Sequence, residues 1–235
     1  MLGPVGDHPL LAVTTSGQRW GIWLQAAERS QGATLAGGRG QPRDLLGTID
    51  AVVARAGLSL PDLFGFAVNV GPGSFTSLRT GLATVRALAW ALDKPVCAVA
   101  ATAAYLNQAR QDYPEAAICV AIGARQQHWY LAVTAPAAQP ALPQLVAVGQ
   151  LAAWRAQQPG GGAALVGMGP GWSDAELLRA WQPPLPAVLV ATDGPDARWC
   201  AMLAQAAPPS AWLPALRCLP EYVAPSQAES QNLPG

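Results

Sequence analysis

Apolar and polar positions along the chain alternate between strand-like runs and helix-like periodicity. A continuous apolar run over residues 63–70 predicts a buried strand. After a glycine-containing turn, apolar side chains recur at helical spacing, at Leu78, Leu82, Val85, Ala89 and Leu92. Pro95 and the residue before it end this helix. The stretch therefore predicts a strand, a glycine turn and a helix with one strongly apolar face.

The same patterns predict further strands and helices on both sides of this unit. Before and after it, we expect strands at 10–13, 19–24, 34–36 and 96–99, and helices at 42–56 and 102–111. Beyond Pro114, we expect strands at 118–122, 129–133, 145–148, 163–166 and 187–190, and helices at 150–157, 174–181 and 196–206. The polar tail from about residue 225 is predicted to be disordered.

The two series of elements form an internal repeat. Placing Val13 over Ile122 also brings Trp20 over Trp129. The sequence thus predicts an α/β protein with two βββαβαβα units, which is the plan of the duplicated actin-like (ASKHA, sugar-kinase/Hsp70-like ATPase) fold. We expect an N-terminal domain at 1–112, which carries the glycine turn, and a C-terminal domain at 113–235.

The glycine turn admits two interpretations. Its residues are Gly71, Pro72, Gly73, Ser74, Phe75 and Thr76. Glycine allows a tight strand-to-helix turn, and Ser74 or Thr76 can cap the helix. A helix start with free N–H groups also attracts anions, although the lysine of a P-loop is missing here. A structural turn and a phosphate cradle therefore both remain open.

One side of the following helix carries small residues. Thr80, Thr84, Ala87 and Ala91 lie along it, with Gly81 beside them. Small residues let a second helix approach closely. Arg79 and Arg86 share a face and could border such a contact. The side chains either pack within one domain or meet a helix of another chain.

Composition narrows the function. The chain has 235 residues, about half of them apolar, and its 14 basic and 14 acidic residues give zero formal net charge. Without a basic run, we expect weak binding to nucleic acid by the chain alone. The start has no basic signal region and no apolar run is long enough to span a membrane, so we expect a cytoplasmic protein with no membrane contact.

Cysteine, histidine and tryptophan offer little recognisable chemistry. Four scattered cysteines contain no CxxC pair, and buried free thiols are expected. His8 and His128 are not spaced as a metal pair. We expect Trp20, Trp23, Trp90 and Trp129 to lie in the core or on sheet faces, with a base-stacking platform as the other interpretation.

The stretch from Gly71 to Leu82 resembles the GPGSFTGLRxGL signature of the bacterial TsaB (YeaZ) family, which takes part in tRNA threonylcarbamoyladenosine biosynthesis. Ser77 replaces the usual glycine. A fainter resemblance extends from about residue 10 to residue 222. It implies the actin-like fold named above.

The resemblance also identifies positions where catalytic chemistry is missing. Family members usually keep an Asp directly after the first strand and another after the corresponding strand of the second half. Thr14, followed by Thr15, and Gly123 occupy those places, so the acidic ligands of a magnesium–phosphate centre are absent. A triad from Ser74 and His128 would lack a GxSxG elbow. We therefore expect no catalytic residue, metal or cofactor.

The resemblance implies a non-catalytic scaffold subunit. Its partners would be a TsaD-type transferase subunit and a TsaE-type small ATPase, and tRNA would be bound only within the complex. The complex would modify the adenosine next to the anticodon in tRNAs that read codons beginning with A. The expected partner interface comprises Leu78, Arg79, Thr80, Gly81, Thr84, Arg86, Ala87 and Ala91, which would form a homodimer when the partner is missing. Two alternatives stay open, a phosphotransferase or glycoprotease-like enzyme of the same fold and a stand-alone homodimer.

Overall fold

The computed structural model describes residues 6–37, 44–125, 127–158, 165–181 and 184–221. In its first half, the strands are β1 (Leu10–Thr14), β2 (Arg19–Gln25), β3 (Gln31–Ala36), β4 (Gly65–Gly71) and β5 (Pro95–Ala100). The helices of this half are α1 (Leu45–Arg55), α2 (Phe75–Ala91) and α3 (Ala101–Asp112). The predicted tail and residues 42–43 of the first predicted helix lie outside the described residues.

The second half repeats this order. Its strands are β6 (Ala117–Gly123), β7 (His128–Thr134), β8 (Gln144–Ala147), β9 (Leu165–Met168) and β10 (Val188–Val190), followed by β11 (Trp212–Pro214). Its helices are α4 (Leu151–Ala156), α5 (Ala175–Trp181) and α6 (Ala197–Gln205). Short 3-10 turns precede α4 and α5 and follow α6.

Both sheets have the same topology. The first has the strand order β11-β5-β4-β1-β2-β3 and the second β10-β9-β6-β7-β8. In each, the first two strands form an antiparallel hairpin, and the fourth strand runs parallel to the first. Leaving β11 aside, the strand orders of the two halves correspond one to one. The predicted duplicated actin-like α/β fold is confirmed.

The last helix of each half packs on the sheet of the other half. The buried side of α6 lies against β1 and β4, at Ala197, Cys200, Ala201 and Ala204. The buried side of α3 lies against β6 and β9, at Ala101, Tyr105, Leu106 and Ala109. Burial of this apolar surface on both sides holds the two halves together.

The final strand joins the first sheet. β11 pairs antiparallel with β5, with Trp212 opposite Cys97 and Pro214 opposite Pro95. The sequence did not predict this strand because three residues that include a proline give no periodic signal. Proline is tolerated here because β11 is an edge strand. The division at residue 112 stays a prediction.

Several element boundaries differ from the sequence prediction by one to three residues. Helix α1 begins at Leu45, since Asp44 Oδ1 accepts a hydrogen bond from Gly47 N at 2.9 Å and caps the helix. Strand β9 pairs with β6 from Leu165 to Met168, and residues 163–164 of the predicted strand lie outside the described residues. None of the helices in the described ranges is long and apolar enough to cross a membrane.

Candidate functional site

The glycine turn packs directly against the turn between β1 and β2. Gly71 and Gly73 both have positive φ, 115° and 157°, on either side of Pro72. A Cβ on Gly73 would lie 2.6 Å from Ser16 Cβ. Ser74 N donates a hydrogen bond to the Ser16 carbonyl at 2.8 Å. The glycines therefore serve a close backbone approach, which favours the structural turn over an open phosphate cradle.

The capping prediction for this turn is only partly right. Ser74 occupies the N-cap position of α2, but its side chain makes no capping hydrogen bond. Its hydroxyl instead lies 3.1 Å from Ser77 Oγ. Ser74 thus starts the helix through its backbone, and its hydroxyl contacts another serine.

Thr14 and Thr15, which were predicted to occupy the degenerate nucleotide-site position of the first hairpin turn, are buried. Thr14 and Thr15 have 0% and 1% exposure, and neither Oγ1 has a hydrogen-bond partner among the described residues. A Cβ on Gly81 would collide with the Thr15 side chain. The two hydroxyls are therefore not presented to a phosphate in this structure.

Residues between β10 and α6 fill the space in front of the first hairpin turn. Gln18 N and Arg19 N both donate to the Asp193 carbonyl, at 2.7 and 3.2 Å. A Cβ on Gly17 would collide with that carbonyl and lie 2.5 Å from Gly194 Cα. Arg19 Nη2 also lies 3.3 Å from Asp193 Oδ2. We call this contact between residues 17–19 and 193–194 the clasp.

The corresponding turn of the second half is not covered in this way. Gly123 ends β6 and is exposed, and no described atom lies within 4 Å of a Cβ placed on it. The predicted position of the second missing carboxylate is therefore open.

The second half contains its own glycine turn, which the sequence analysis missed. Gly169, Pro170 and Gly171 follow β9, and Gly169 has a φ of 110°. Their place matches that of Gly71–Gly73 after β4. The recurring Gly-Pro-Gly tripeptide was the signal that could have revealed it. After this turn the chain places Trp172 in the core, at 2% exposure.

Helix α2 has one side whose residues are exposed. Its exposed positions, which we call the α2 outer face, are Phe75, Thr76, Arg79, Ala83, Ala87, Trp90 and Ala91. Thr80 and Thr84 are half-buried at its edge. Trp90 is 69% exposed and Phe75 44%, so the prediction of a core or sheet-face role for Trp90 is wrong.

Three residues of the predicted partner interface contact their own chain. Leu78 is 7% exposed and Gly81 is buried against Thr15, so neither can belong to an outer surface. Arg86 donates to the carbonyls of Ala215 and Leu216, both at 3.2 Å, and is half-buried. Arg79 remains exposed, with its guanidinium carbon 3.9 Å from the centre of the Phe75 ring.

Chemically reactive groups are scarce among the described residues. All four cysteines are buried and free. Burial raises the pKa of Cys97 and of Cys218 to about 11, and raises those of Cys119 and Cys200 further. A thiol with a raised pKa stays protonated at neutral pH and is a poor nucleophile. Within the same ranges, no three His, Cys, Asp or Glu side chains come together as a metal site.

Comparison with known proteins gives matches over the middle of the chain and over the whole fold. Residues 39–139 match the family described as TsaD, tRNA N6-adenosine threonylcarbamoyltransferase. The tRNA threonylcarbamoyladenosine biosynthesis protein TsaB of Haemophilus influenzae is 31% identical over 122 residues, which are 52% of this chain and 51% of that protein. The matched part thus spans about half the length of that relative.

Two solved structures match nearly the entire chain. The structure of YeaZ from Pseudomonas aeruginosa is 26% identical with a TM-score of 0.73, and the match covers 91% of this chain and 99% of that one. A second structure is described as an uncharacterized protein with similarity to peptidase YEAZ from Pseudomonas aeruginosa. It is 24% identical with a TM-score of 0.78 and covers 92% and 99% of the two chains.

Proposed function

The chain belongs to the TsaB (YeaZ) family, and from this premise we propose that it is a non-catalytic scaffold subunit in tRNA threonylcarbamoyladenosine biosynthesis. Its role is to hold a TsaD-type transferase subunit through the α2 outer face. That complex, assisted by a TsaE-type small ATPase, modifies the adenosine next to the anticodon in tRNAs that read codons beginning with A. The complex binds the tRNA, to which this chain alone binds only weakly.

The α2 outer face is the observation that carries the proposal. Trp90 and Phe75 expose large aromatic rings, and Ala83 and Ala87 between them leave room for an approaching helix. Exposed apolar surface of this kind marks interaction sites. Aromatic residues on a helix surface are also the usual anchors of protein interfaces.

The threonines at the edge of this face suit an apolar contact. Thr80 Oγ1 donates to the Thr76 carbonyl at 3.1 Å, and Thr84 Oγ1 donates to the Thr80 carbonyl at 2.9 Å. Because both hydroxyls are satisfied within α2, a partner helix can cover them without leaving a buried donor unpaired. The edge of the face can therefore be buried at little cost.

Similarity to the transferase family supports the choice of partner. The matched residues 39–139 include all of α2, so the middle of this chain, from α1 to β7, resembles the proposed partner itself. Two similar subunits can pair about a pseudo-two-fold axis, with α2 facing its counterpart, as in a symmetric dimer. The same geometry gives a homodimer when the transferase subunit is missing, so the two assemblies compete.

The closed first hairpin turn supports a non-catalytic role. Thr14 and Gly123 stand where the family usually keeps acidic residues, and the clasp fills the space in front of the first turn. A magnesium–phosphate centre needs hard oxygen ligands and room for the phosphates. We expect no magnesium-dependent ATP turnover by the isolated chain, and a clear turnover that disappears on mutating Thr14 would contradict this part of the proposal.

Binding to the transferase subunit of the same organism tests the interface. Ala87→Trp adds bulk at the centre of the α2 outer face, where overpacking costs about 1–3 kcal/mol, equivalent to a loss of affinity of about fivefold to 150-fold. Ala153→Trp makes the same change at an exposed site of α4 and serves as the control. Titration calorimetry measures the affinity for the transferase subunit. If a folded Ala87→Trp protein binds with unchanged affinity, the interface lies elsewhere.

A further inference from the structure

An open groove of about 600 Å³ lies between the end of β2 and the outer side of α6. Trp23, Gln25 and Ser30 line it from the strand side, and Arg198, Met202 and Gln205 line it from the helix. We call it the α6 groove. It shares no residue with the α2 outer face or the clasp, so its chemistry is independent of the proposed function. Its volume falls in the range of small-molecule sites.

The floor of the groove is an indole ring in a defined position. A Cβ on Gly32 would lie 2.7 Å from Trp23 Cε3, so the ring rests on β3 only because position 32 has no side chain. Trp23 Nε1 donates to Gln25 Oε1 at 2.9 Å, which fixes the ring in its plane. The ring is half-buried and carries an aromatic surface into the groove. A flat ligand ring can stack on such a surface.

The wall of the groove is the side of α6 that does not enter the core. Arg198 is exposed in the first turn of the helix, where its backbone N donates to Asp196 Oδ1 at 2.8 Å. Its guanidinium carbon lies over the Trp23 ring, 5.9 Å from the ring centre, and is also 5.9 Å from the centre of the Trp199 ring. Among the described residues, the ion pair within 4 Å is that of Arg19 with Asp193. No described carboxylate lies within pairing distance of Arg198. The guanidinium is thus positioned for an anion beside the aromatic floor.

The remaining polar groups add one donor and one acceptor. Gln25 uses its oxygen for the Trp23 ring, which leaves its amide hydrogens for a ligand. Gln205 Nε2 donates to the Gly6 carbonyl at 3.0 Å, which leaves its oxygen. Met202, 39% exposed, supplies an adaptable apolar surface next to Arg198. The groove therefore combines a stacking surface, one cation and a mixed hydrogen-bonding edge.

We propose that the α6 groove binds a nucleotide, with the base stacked on Trp23 and the phosphate held by Arg198. The base edge is then read by the Gln25 amide hydrogens and the Gln205 oxygen. The nucleotide is either free or an unpaired residue of an RNA, since both present the same base and phosphate.

Ligand-observed NMR with AMP tests the proposal, with adenosine and ribose 5-phosphate as partial ligands. AMP should bind at least about tenfold more tightly than either, because only AMP engages both the ring and the guanidinium. Arg198→Gln should weaken AMP binding by about tenfold, and Met202→Glu should do so by like-charge repulsion. Arg179→Gln, which removes an exposed arginine of α5 outside the groove, is the matched control and should leave binding unchanged.

The outcomes separate the sources and can overturn the proposal. A single-stranded oligoadenylate that binds more tightly than AMP and loses affinity in Arg198→Gln identifies RNA, whereas AMP binding without oligonucleotide binding identifies a free nucleotide. Absence of both, or AMP binding that is equal in wild type and Arg198→Gln, overturns the proposal. Transferase binding by Arg198→Gln is measured in parallel, and its retention keeps this test separate from that of the α2 outer face.

Discussion

The two halves of the chain share one plan and use it differently. In the first half, the Gly71–Gly73 turn leads into α2, a helix of 17 residues with an exposed outer face. In the second half, the Gly169–Gly171 turn leads through a 3-10 turn into α5, which has only 7 residues. The longer helix presents an exposed face, whereas the turn before the shorter one places Trp172 in the core of the second half.

The tryptophans show the same contrast. Trp172 Nε1 donates to the Cys119 carbonyl at 3.0 Å, and its ring lies 4.8 Å from that of Trp181. Trp90, on α2, is 69% exposed. After its glycine turn, the second half thus places a tryptophan in its core, whereas the first half presents Trp90 on its surface. Two halves with the same backbone topology can therefore differ in role, with one tryptophan packed in a core and the other available for contact with a partner.

Replacing each tryptophan by alanine should give the largest difference between the halves. Trp172→Ala removes a buried ring and its hydrogen bond, and we expect a loss of about 3–5 kcal/mol in the free energy of unfolding. Trp90→Ala, at the exposed site, should change it by about 0.5 kcal/mol or less. Urea unfolding followed by circular dichroism measures both. Similar losses for the two variants would show that Trp90 is buried by its own chain.

The two hairpin turns provide the next comparison. Gly17→Val forces a side chain into the clasp against the Asp193 carbonyl, and we expect a loss of about 1–3 kcal/mol. Gly123→Val introduces the same side chain into the open turn, where it should cost about 0.5 kcal/mol or less. Thermal and urea unfolding check the pair. Equal destabilisation would mean that the clasp does not close the first turn in solution.

The smallest expected effect separates the backbone part of the clasp from its ion pair. Asp193→Ala removes the carboxylate that pairs with Arg19 but keeps the carbonyl that accepts from Gln18 and Arg19. Both side chains of the pair are more than half exposed, so its loss should cost about 1 kcal/mol or less. Urea unfolding measures this loss. If the free energy of unfolding falls as much as in Gly17→Val, the ion pair and not the backbone hydrogen bonds stabilises the clasp.

Much of this comparison could be predicted from the sequence, because repeated periodicity places helices and strands reliably. The apolar face of α2 follows from local pattern, and the Thr14 and Gly123 positions follow from the resemblance to the family. The clasp could not be predicted, since it joins residues 17–19 to 193–194 through backbone atoms that any sequence provides. The exposure of Trp90 was missed for a related reason. A tryptophan in an amphipathic helix is read as core until the neighbouring elements are known.

Hydrogen exchange with and without the transferase subunit is the most direct test of the central claim, that the α2 outer face is where this chain binds its partner. The account predicts slower amide exchange on complex formation in peptides covering Phe75–Ala91, because a covering helix suppresses local opening. Exchange in Ala175–Trp181, at the corresponding position of the second half, should be unchanged. Protection confined to the second half, or a stoichiometric complex with no protection in α2, would contradict the claim.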